Sequence, residues 1–312
     1  MKRYMGWDID FTAPRGEPAY ARPGSVHWRV YKNPVALALG GVCAVLLEFA
    51  DPRIRSGVWD HSVFPKDPLG RGQRTAMAAQ IGVFGPRSAA DQVTARIGKL
   101  HARVKGETPT GQAYEASDPE LANWVSATAS YGFAMAYHSF VAPLTPEEID
   151  RFFADAVTVG RLYGALSPPT SLEAFYALCE AMSAGFEPHR INEEFLDIMR
   201  SGRAAPGIPR WLQSQMAAAS ISLLPPSVRT ILALGPEYDL SRAGRLAVRT
   251  IARLAERVPQ PKSPAAQASQ RLGLPWRFPW LSLAKQRKYL EKQNLKSPEQ
   301  RRQGGAELGE RA

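Results

Sequence analysis

Residues 34–52 read PVALALGGVCAVLLEFADP. Proline at the front, sixteen almost unbroken apolar or small residues, then Asp-Pro at the back: the run is punctuated as one helix. Pro34 fits the first helical position, where a missing N–H costs nothing, and the Asp51-Pro52 pair stops the helix. Its length is short for a bilayer, which calls for about 20 apolar residues, and Glu48 sits inside it. The expected element is therefore a helix buried in the core of a helical protein.

The flanking sequence repeats this grammar. KDPLGRGQRTAMAAQIG (66–82) offers Asp67 as N-cap and Pro68 behind it. In 86–106 Ser88 is a cap candidate and Gly106 a stop. Asp118-Pro119 starts a long helix to about Val141. Thr145-Pro146 with Glu147 and Glu148 starts another, to about Leu166, with the acids at the positive helix end. Thr170 or Ser171 caps a helix to about Ser183. Further helical stretches are expected over 189–201, 208–223, 226–234 and 238–257. Strand-like alternation is nearly absent. The fold class is all-α: a single mainly helical domain over 28–257, preceded by an N-terminal extension (1–27). Behind it, 258–312 divides into a Pro/Ser-rich connector, VPQPKSPAAQASQ, the aromatic LPWRFPW (274–280), expected to dock on the body, and a basic tail, expected to be disordered from about 295.

The chain has 312 residues, 45% hydrophobic and 22% charged, with net charge +10. That composition fits a soluble protein with a sizeable core. About four of the ten net charges fall in 285–312, so the body is less basic than the total. Basic and aromatic residues are not interleaved, and no specific nucleic-acid partner is expected. Cys43 and Cys179 lie far apart and form no CxxC pattern. A reducing cytoplasm is the simplest compartment. The N-terminus lacks an apolar signal core, and no transmembrane segment is expected. The oligomeric state is not readable. Glu-x-x-His pairs, a GxSxG elbow and a P-loop are all absent from the sequence, and GRGQRT follows a helix start rather than a strand, which excludes a dinucleotide loop.

Two segments carry candidate chemistry. In the 86–106 helix, Val93, Ile97, Leu100 and Val104 form an apolar stripe with His101 on its flank. A neutral imidazole at a core edge needs either an ordinary hydrogen-bond partner or a metal, and the residues leave both open. In RGQRT (71–75), Arg71, Arg74 and Thr75 are neighbours at helical spacing, and Ala78, Ala79 and Gly82 extend that face with small residues. The pattern suits a forked contact to a carboxylate or phosphate; two solvated arginines near a helix start are the plainer reading. His61 in WDHSVF and His138 in MAYHSFVAP are weaker candidates, the second a reserve metal ligand. His27 and His189 stand in no constellation.

The stretches YKNPVALALGGVCAVLLEFADPRIRSGVWDHSVFPKDPLGRGQRT, VFGPRSAADQVTARIGKLHARVKG, YEASDPELANWV, FVAPLTPEEIDRFF and LSPPTSLEAFYALCEAM lie in this order between residues 31 and 182. Their order and spacing resemble the MpaB and latex-clearing-protein (rubber oxygenase) family, more weakly on to about residue 240. The resemblance implies a helical fold enclosing one b-type haem, whose iron takes His101 as proximal ligand and metal contact. It implies Arg71 and Thr75 as pocket residues with catalytic roles, and haem propionates as the anions for Arg71 and Arg74. Arg74 stands where rubber-cleaving members can place a distal lysine, and a guanidinium has no lone pair to give to iron. Those members use a distal carboxylate as base, for which Asp60 and Asp67 are candidates by proximity. The implied activity is that of an oxygenase using O2 on a small apolar, isoprenoid-like substrate, with oxidative C=C cleavage. The alternative is a non-catalytic helical haem- or lipid-binding protein of the same fold.

Overall fold

The computed structural model describes residues 3–4, 7–62, 64, 66–203 and 205–292. The expected tail from 295 lies outside them. The described residues form fourteen α-helices. These are α1 (Val26–Tyr31), α2 (Pro34–Ala50), α3 (Pro52–His61), α4 (Pro68–Phe84), α5 (Arg87–His101), α6 (Pro119–Phe140) and α7 (Pro146–Leu162). They continue with α8 (Leu172–Ser183), α9 (Arg190–Arg200), α10 (Arg210–Ile221), α11 (Pro226–Ile231), α12 (Arg242–Arg257), α13 (Pro264–Arg271) and α14 (Leu283–Lys292). Two short antiparallel hairpins accompany them: β1 (Arg3–Tyr4) with β2 (Trp7–Asp8), and β3 (Lys105–Glu107) with β4 (Ala113–Glu115).

The apolar run 34–50 is α2, the central helix, with α6, α10 and α12 packed around it. Asn33 fixes its start. The Asn33 Oδ1 accepts from the N–H groups of Val35 (3.1 Å) and Ala36 (3.0 Å), and its Nδ2 donates to the Ala252 carbonyl of α12 (2.9 Å). Asp51 ends α2 and caps α3, accepting from Arg53 N–H (2.8 Å), and the chain bends by 111° there. Among the described residues, no single helix is long and apolar enough to cross a membrane.

The α2–α6 crossing is close because glycine faces glycine. A Cβ on Gly40 would lie 2.7 Å from the carbonyl carbon and oxygen of Gly132 and 2.8 Å from Phe133 Cα. Each glycine weakens its helix by about 1 kcal/mol relative to alanine. The close approach in return lets Trp124, Phe133, Tyr137 and Phe140 of α6 fill the main core with Leu39, Cys43, Leu46 and Leu47 of α2. Thr145 and Glu148 form the capping box at the head of α7.

A second core joins elements distant in sequence. Phe11 and Trp28 pack with Met77, Ile81 and Phe84 of α4, Ala90 and Val93 of α5, and Ala265, Ala268 and Phe278. The stretch read as a connector after 258 therefore contains α13, a helix of this core. Ser263 caps it and Pro264 opens it; its alanines, good helix formers, outweigh its polar composition. Its last residue, Arg271, is buried and donates to the carbonyls of Glu17, Phe11 and Phe84, each at 2.8 Å. Phe278 of LPWRFPW is fully buried, so that segment docks on the body.

The helix expected to reach Gly106 stops at His101. The chain after it pairs instead as the β3–β4 hairpin, turning at Gly111 with φ +82°. Leu100, read as part of the apolar stripe, is more than half exposed. Ser88 is not the cap: Pro86 occupies that position, and the Ser88 N–H (2.6 Å) and hydroxyl (2.9 Å) donate to Glu17. The helix at 146 ends at Leu162, before Gly164 with φ +98°.

Candidate active site

One side of α2 is open to solvent, and Arg71 of α4 lies within charge reach of both Glu48 on α2 and His101 at the end of α5; this juncture is the candidate cleft. Its α2 wall carries Ala38, Gly41, Val45 and Glu48, residues on one side of the helix that solvent reaches although their neighbours on α2 are buried. A Cβ on Gly41 would meet nothing within 4 Å. Opposite stands α4, which packs on α1, α5 and α13. Asp67 starts α4 as expected, its Oδ1 accepting from Gly70 N–H (2.9 Å). Arg71 follows one turn in. Its Nη1 donates to the Thr75 hydroxyl, which itself donates to the Arg71 carbonyl (3.0 Å). Thr75 thus holds the guanidinium in place.

The charge of Arg71 acts on both Glu48 and His101. All three are reached by solvent yet lie deep enough for burial to dominate their ionisation. Burial lowers the Arg71 pKa while the Glu48 charge opposes this, and the guanidinium stays protonated. Burial raises the Glu48 carboxyl to about 7, against the hydrogen bond from Thr128 and the charge of Arg71, which pull it down. The Thr128 hydroxyl lies 3.2 Å from Glu48 Oε1. Burial, then the Arg71 charge, lowers the His101 pKa. At neutral pH the imidazole is neutral, with a lone pair to offer.

The other histidines are committed elsewhere. Nδ1 of His138 accepts from Leu144 N–H (3.1 Å). His189 caps α9 by accepting from Ile191 N–H (3.2 Å). His61 Nε2 meets the Tyr114 hydroxyl (3.3 Å), tying α3 to the β3–β4 hairpin. His27 is enclosed in the core, stacked on Phe152 at 4.0 Å, and burial lowers its pKa to about 3. Among the described residues His101 is the histidine that is both accessible and without a hydrogen bond to its ring.

Arg71, Thr75 and His101 thus come together. Arg74, whose charge also reaches Arg71, lies 3.6 Å from Asp67 and is 40% exposed in its side chain. The small-residue face is a packing surface: a Cβ on Gly82 would lie 2.5 Å from Val159 of α7, and Tyr163 donates to the Ala78 carbonyl (2.9 Å). The two aspartates fall outside the cleft. Asp67 is a cap beside Arg74, and Asp60 is exposed, its charge felt by Tyr114. The carboxylate that does face Arg71 is Glu48, which sequence reasoning noted only as a charge unsuited to a bilayer. Its signal was present: it is the single carboxylate, and the single charged residue, of the Pro34–Ala50 helix.

The raised Glu48 pKa sets a pH dependence of stability. In the unfolded chain the carboxyl ionises near 4.5, in the folded chain near 7. Between those values the folded state holds the extra proton, so stability falls as pH rises from about 4.5 to about 7 and is level above. The full penalty is roughly 3 kcal/mol. Glu48→Gln, which carries no charge, is expected to equal the wild type at pH 4 and to exceed it by up to roughly 3 kcal/mol at pH 8 in urea unfolding. A variant whose advantage does not grow with pH would place Glu48 in bulk solvent.

Among the described residues no group of three or more His, Cys, Asp or Glu could hold a metal ion; His101 and Arg71 are the donors that would hold a haem through its iron and an acidic edge. One free neutral imidazole, a desolvated guanidinium and an α2 wall with open space at Gly41 suit a flat, acidic-edged, otherwise apolar cofactor.

A family model described as "ER-bound oxygenase mpaB/B'/Rubber oxygenase, catalytic domain" matches residues 28–257. No curated protein and no solved structure matches the chain.

Proposed function

The chain belongs to the mpaB/rubber oxygenase catalytic-domain family and is an oxidoreductase of the oxygenase type; from that premise we propose that it is a haem-b-dependent enzyme using O2 to cleave a carbon–carbon double bond in an apolar, isoprenoid-like substrate. The observation that carries the reading is the Arg71 guanidinium, held by Thr75, within charge reach of both the free His101 imidazole and the Glu48 carboxyl, whose pKa is raised to about 7.

The residues divide the work. His101 would hold the iron through its neutral ring. Haem, when bound, supplies the centre at which O2 is activated. Arg71, kept charged and held by Thr75, presents a fixed positive charge to developing negative charge or to a propionate, in surroundings that screen it weakly. Glu48 takes up or releases a proton at its carboxyl near neutral pH, which is the range a general acid–base group needs. Ala38, Gly41 and Val45 give the cleft an apolar wall for the substrate chain. Cleavage of C=C to two carbonyls consumes one O2, places one oxygen atom in each carbonyl and requires no external electron donor.

The test is ¹⁸O2 uptake by haem-supplemented enzyme with a panel of polyenes of differing length. The expected result is one label in each of the two new carbonyl groups without added reductant. Incorporation of a single atom, or a strict need for a reductant, would contradict the cleavage chemistry.

A further inference from the structure

The most unusual surface lies away from the cleft, on α12. Arg242, Arg245, Arg249, Arg253 and Arg257 are all exposed on its outer side. The single acid of the helix, Glu256, is turned inward to Lys32 (2.8 Å), Tyr137 (3.0 Å) and Asn33 (3.1 Å). Among the described residues no carboxylate pairs with any of the five arginines. Three of them are fixed in a row along the end of α6: Arg249 donates from Nε to the Ser139 carbonyl (3.1 Å), Arg253 to that of Val141 (3.3 Å), and Arg245 lies over the Phe140 ring (6.0 Å).

A solvated basic face would explain the arginines but not what lies beside them. Leu246 is 69% exposed and Leu254 and Val258 are each 56% exposed. At 100° per residue the arginines span one side of the outward arc with Leu246 among them, Leu254 lies on the other side, and Val258 follows just past the helix end. Trp211, on the α10 helix that packs against α12, is 59% exposed. It stands one turn before Gln215 on α10, whose Oε1 accepts from the Ser241 hydroxyl at the N-cap of α12 (2.8 Å).

We propose that the outward face of α12, with Trp211 beside its first turn, docks on an anionic lipid surface. A row of unpaired cations flanking a row of exposed leucines matches headgroup phosphates lying above acyl carbons, and tryptophan is a common anchor at that depth. A nucleic acid offers the phosphates without an apolar layer beside them, so it satisfies the arginines and leaves the leucines in water. The inference rests on α12 and Trp211 alone and stands whether or not the cleft binds haem.

The experiment is co-sedimentation of the full chain with vesicles of phosphatidylcholine alone and of phosphatidylcholine mixed with phosphatidylglycerol, at low and high salt. Binding is expected to the anionic vesicles and to weaken with salt. The pair Leu246→Ser/Leu254→Ser is expected to lower the partition coefficient about ten-fold or more. Arg242→Glu/Arg257→Glu, at positions making no internal hydrogen bond from the side chain, is expected to lower it about twenty-fold or more. Circular dichroism checks that both variants remain helical. No binding to phosphatidylglycerol vesicles overturns the proposal, as does binding indifferent to both pairs, which would assign it to another segment. Loss with the arginine pair alone, together with displacement from vesicles by duplex DNA, would make the surface a nucleic-acid site instead.

Discussion

Gly132→Leu is expected to leave no folded protein. A Cβ at this position would overlap the Gly40 carbonyl oxygen, and it would also lie 3.1 Å from the Gly40 carbonyl carbon and 3.4 Å from Ala44 N. The obstacles are backbone atoms, which no rotamer change removes. Relief requires α2 and α6 to separate. Separation opens the main core along both helices, at Trp124, Phe140, Leu46 and Leu47, all almost wholly buried. Overpacking in a core costs typically 1–3 kcal/mol where side chains can yield; here they cannot, and a loss above about 4 kcal/mol is expected. That is a large share of the 5–15 kcal/mol typical of a domain. Gly132→Ala should fold with a lowered midpoint, and Gly132→Leu should show no cooperative thermal transition. A leucine variant melting within a few degrees of wild type would mean that the helices do not cross as closely as described.

The second large effect is expected at Arg71. Arg71→Ala removes the positive charge that lowers both the Glu48 carboxyl and the His101 imidazole. Both pKa values should rise. Glu48 moves further above about 7 and is protonated over more of the neutral range. His101 moves up toward its ordinary value, with burial still holding it down. Turnover should fall by roughly 10²–10³, the usual consequence of removing one fixed donor from developing charge. Thr75 loses the guanidinium it holds, so Thr75→Val should reproduce part of the loss without moving the two pKa values. NMR titration of the His101 ring in wild type and Arg71→Ala checks the electrostatics independently of turnover. An unchanged His101 titration would separate Arg71 from the cluster.

How much of this was legible in the sequence depended on how local the cause is. Asp67-Pro68, Asp118-Pro119 and Thr145-Pro146 each mark a helix start within three residues, and each cap is made as read. The burial of 34–50 was legible because an unbroken apolar run has no other soluble place to go. The end of α5 was not. Lys105–Glu107 leaves the helix to pair with Ala113–Glu115, and the periodicity before it carries no trace of a partner that comes later. Residues 264–271 look polar by composition, yet Arg271 fastens them to carbonyls at Phe11, Glu17 and Phe84. In the cleft, the spacing of Arg71 and Thr75 gave their contact directly, since residues four apart on a helix touch. Glu48 could not be joined to them this way, being more than twenty positions earlier and on another helix. The face of Ala78 and Gly82 misled for the same reason, because Val159 of α7 and Tyr163 just beyond its end cover it.

The central claim is that His101 is an iron ligand, and the absorption spectrum of the full chain tests it most directly. Wild type and His101→Ala are expressed with haem precursor and purified side by side, with circular dichroism to confirm that both are folded. A strong Soret band and about one haem b per chain are expected in the wild type, with loss or a marked shift of that band in His101→Ala. A folded wild type without a Soret band, or a variant whose spectrum and haem content equal those of the wild type, would contradict the claim.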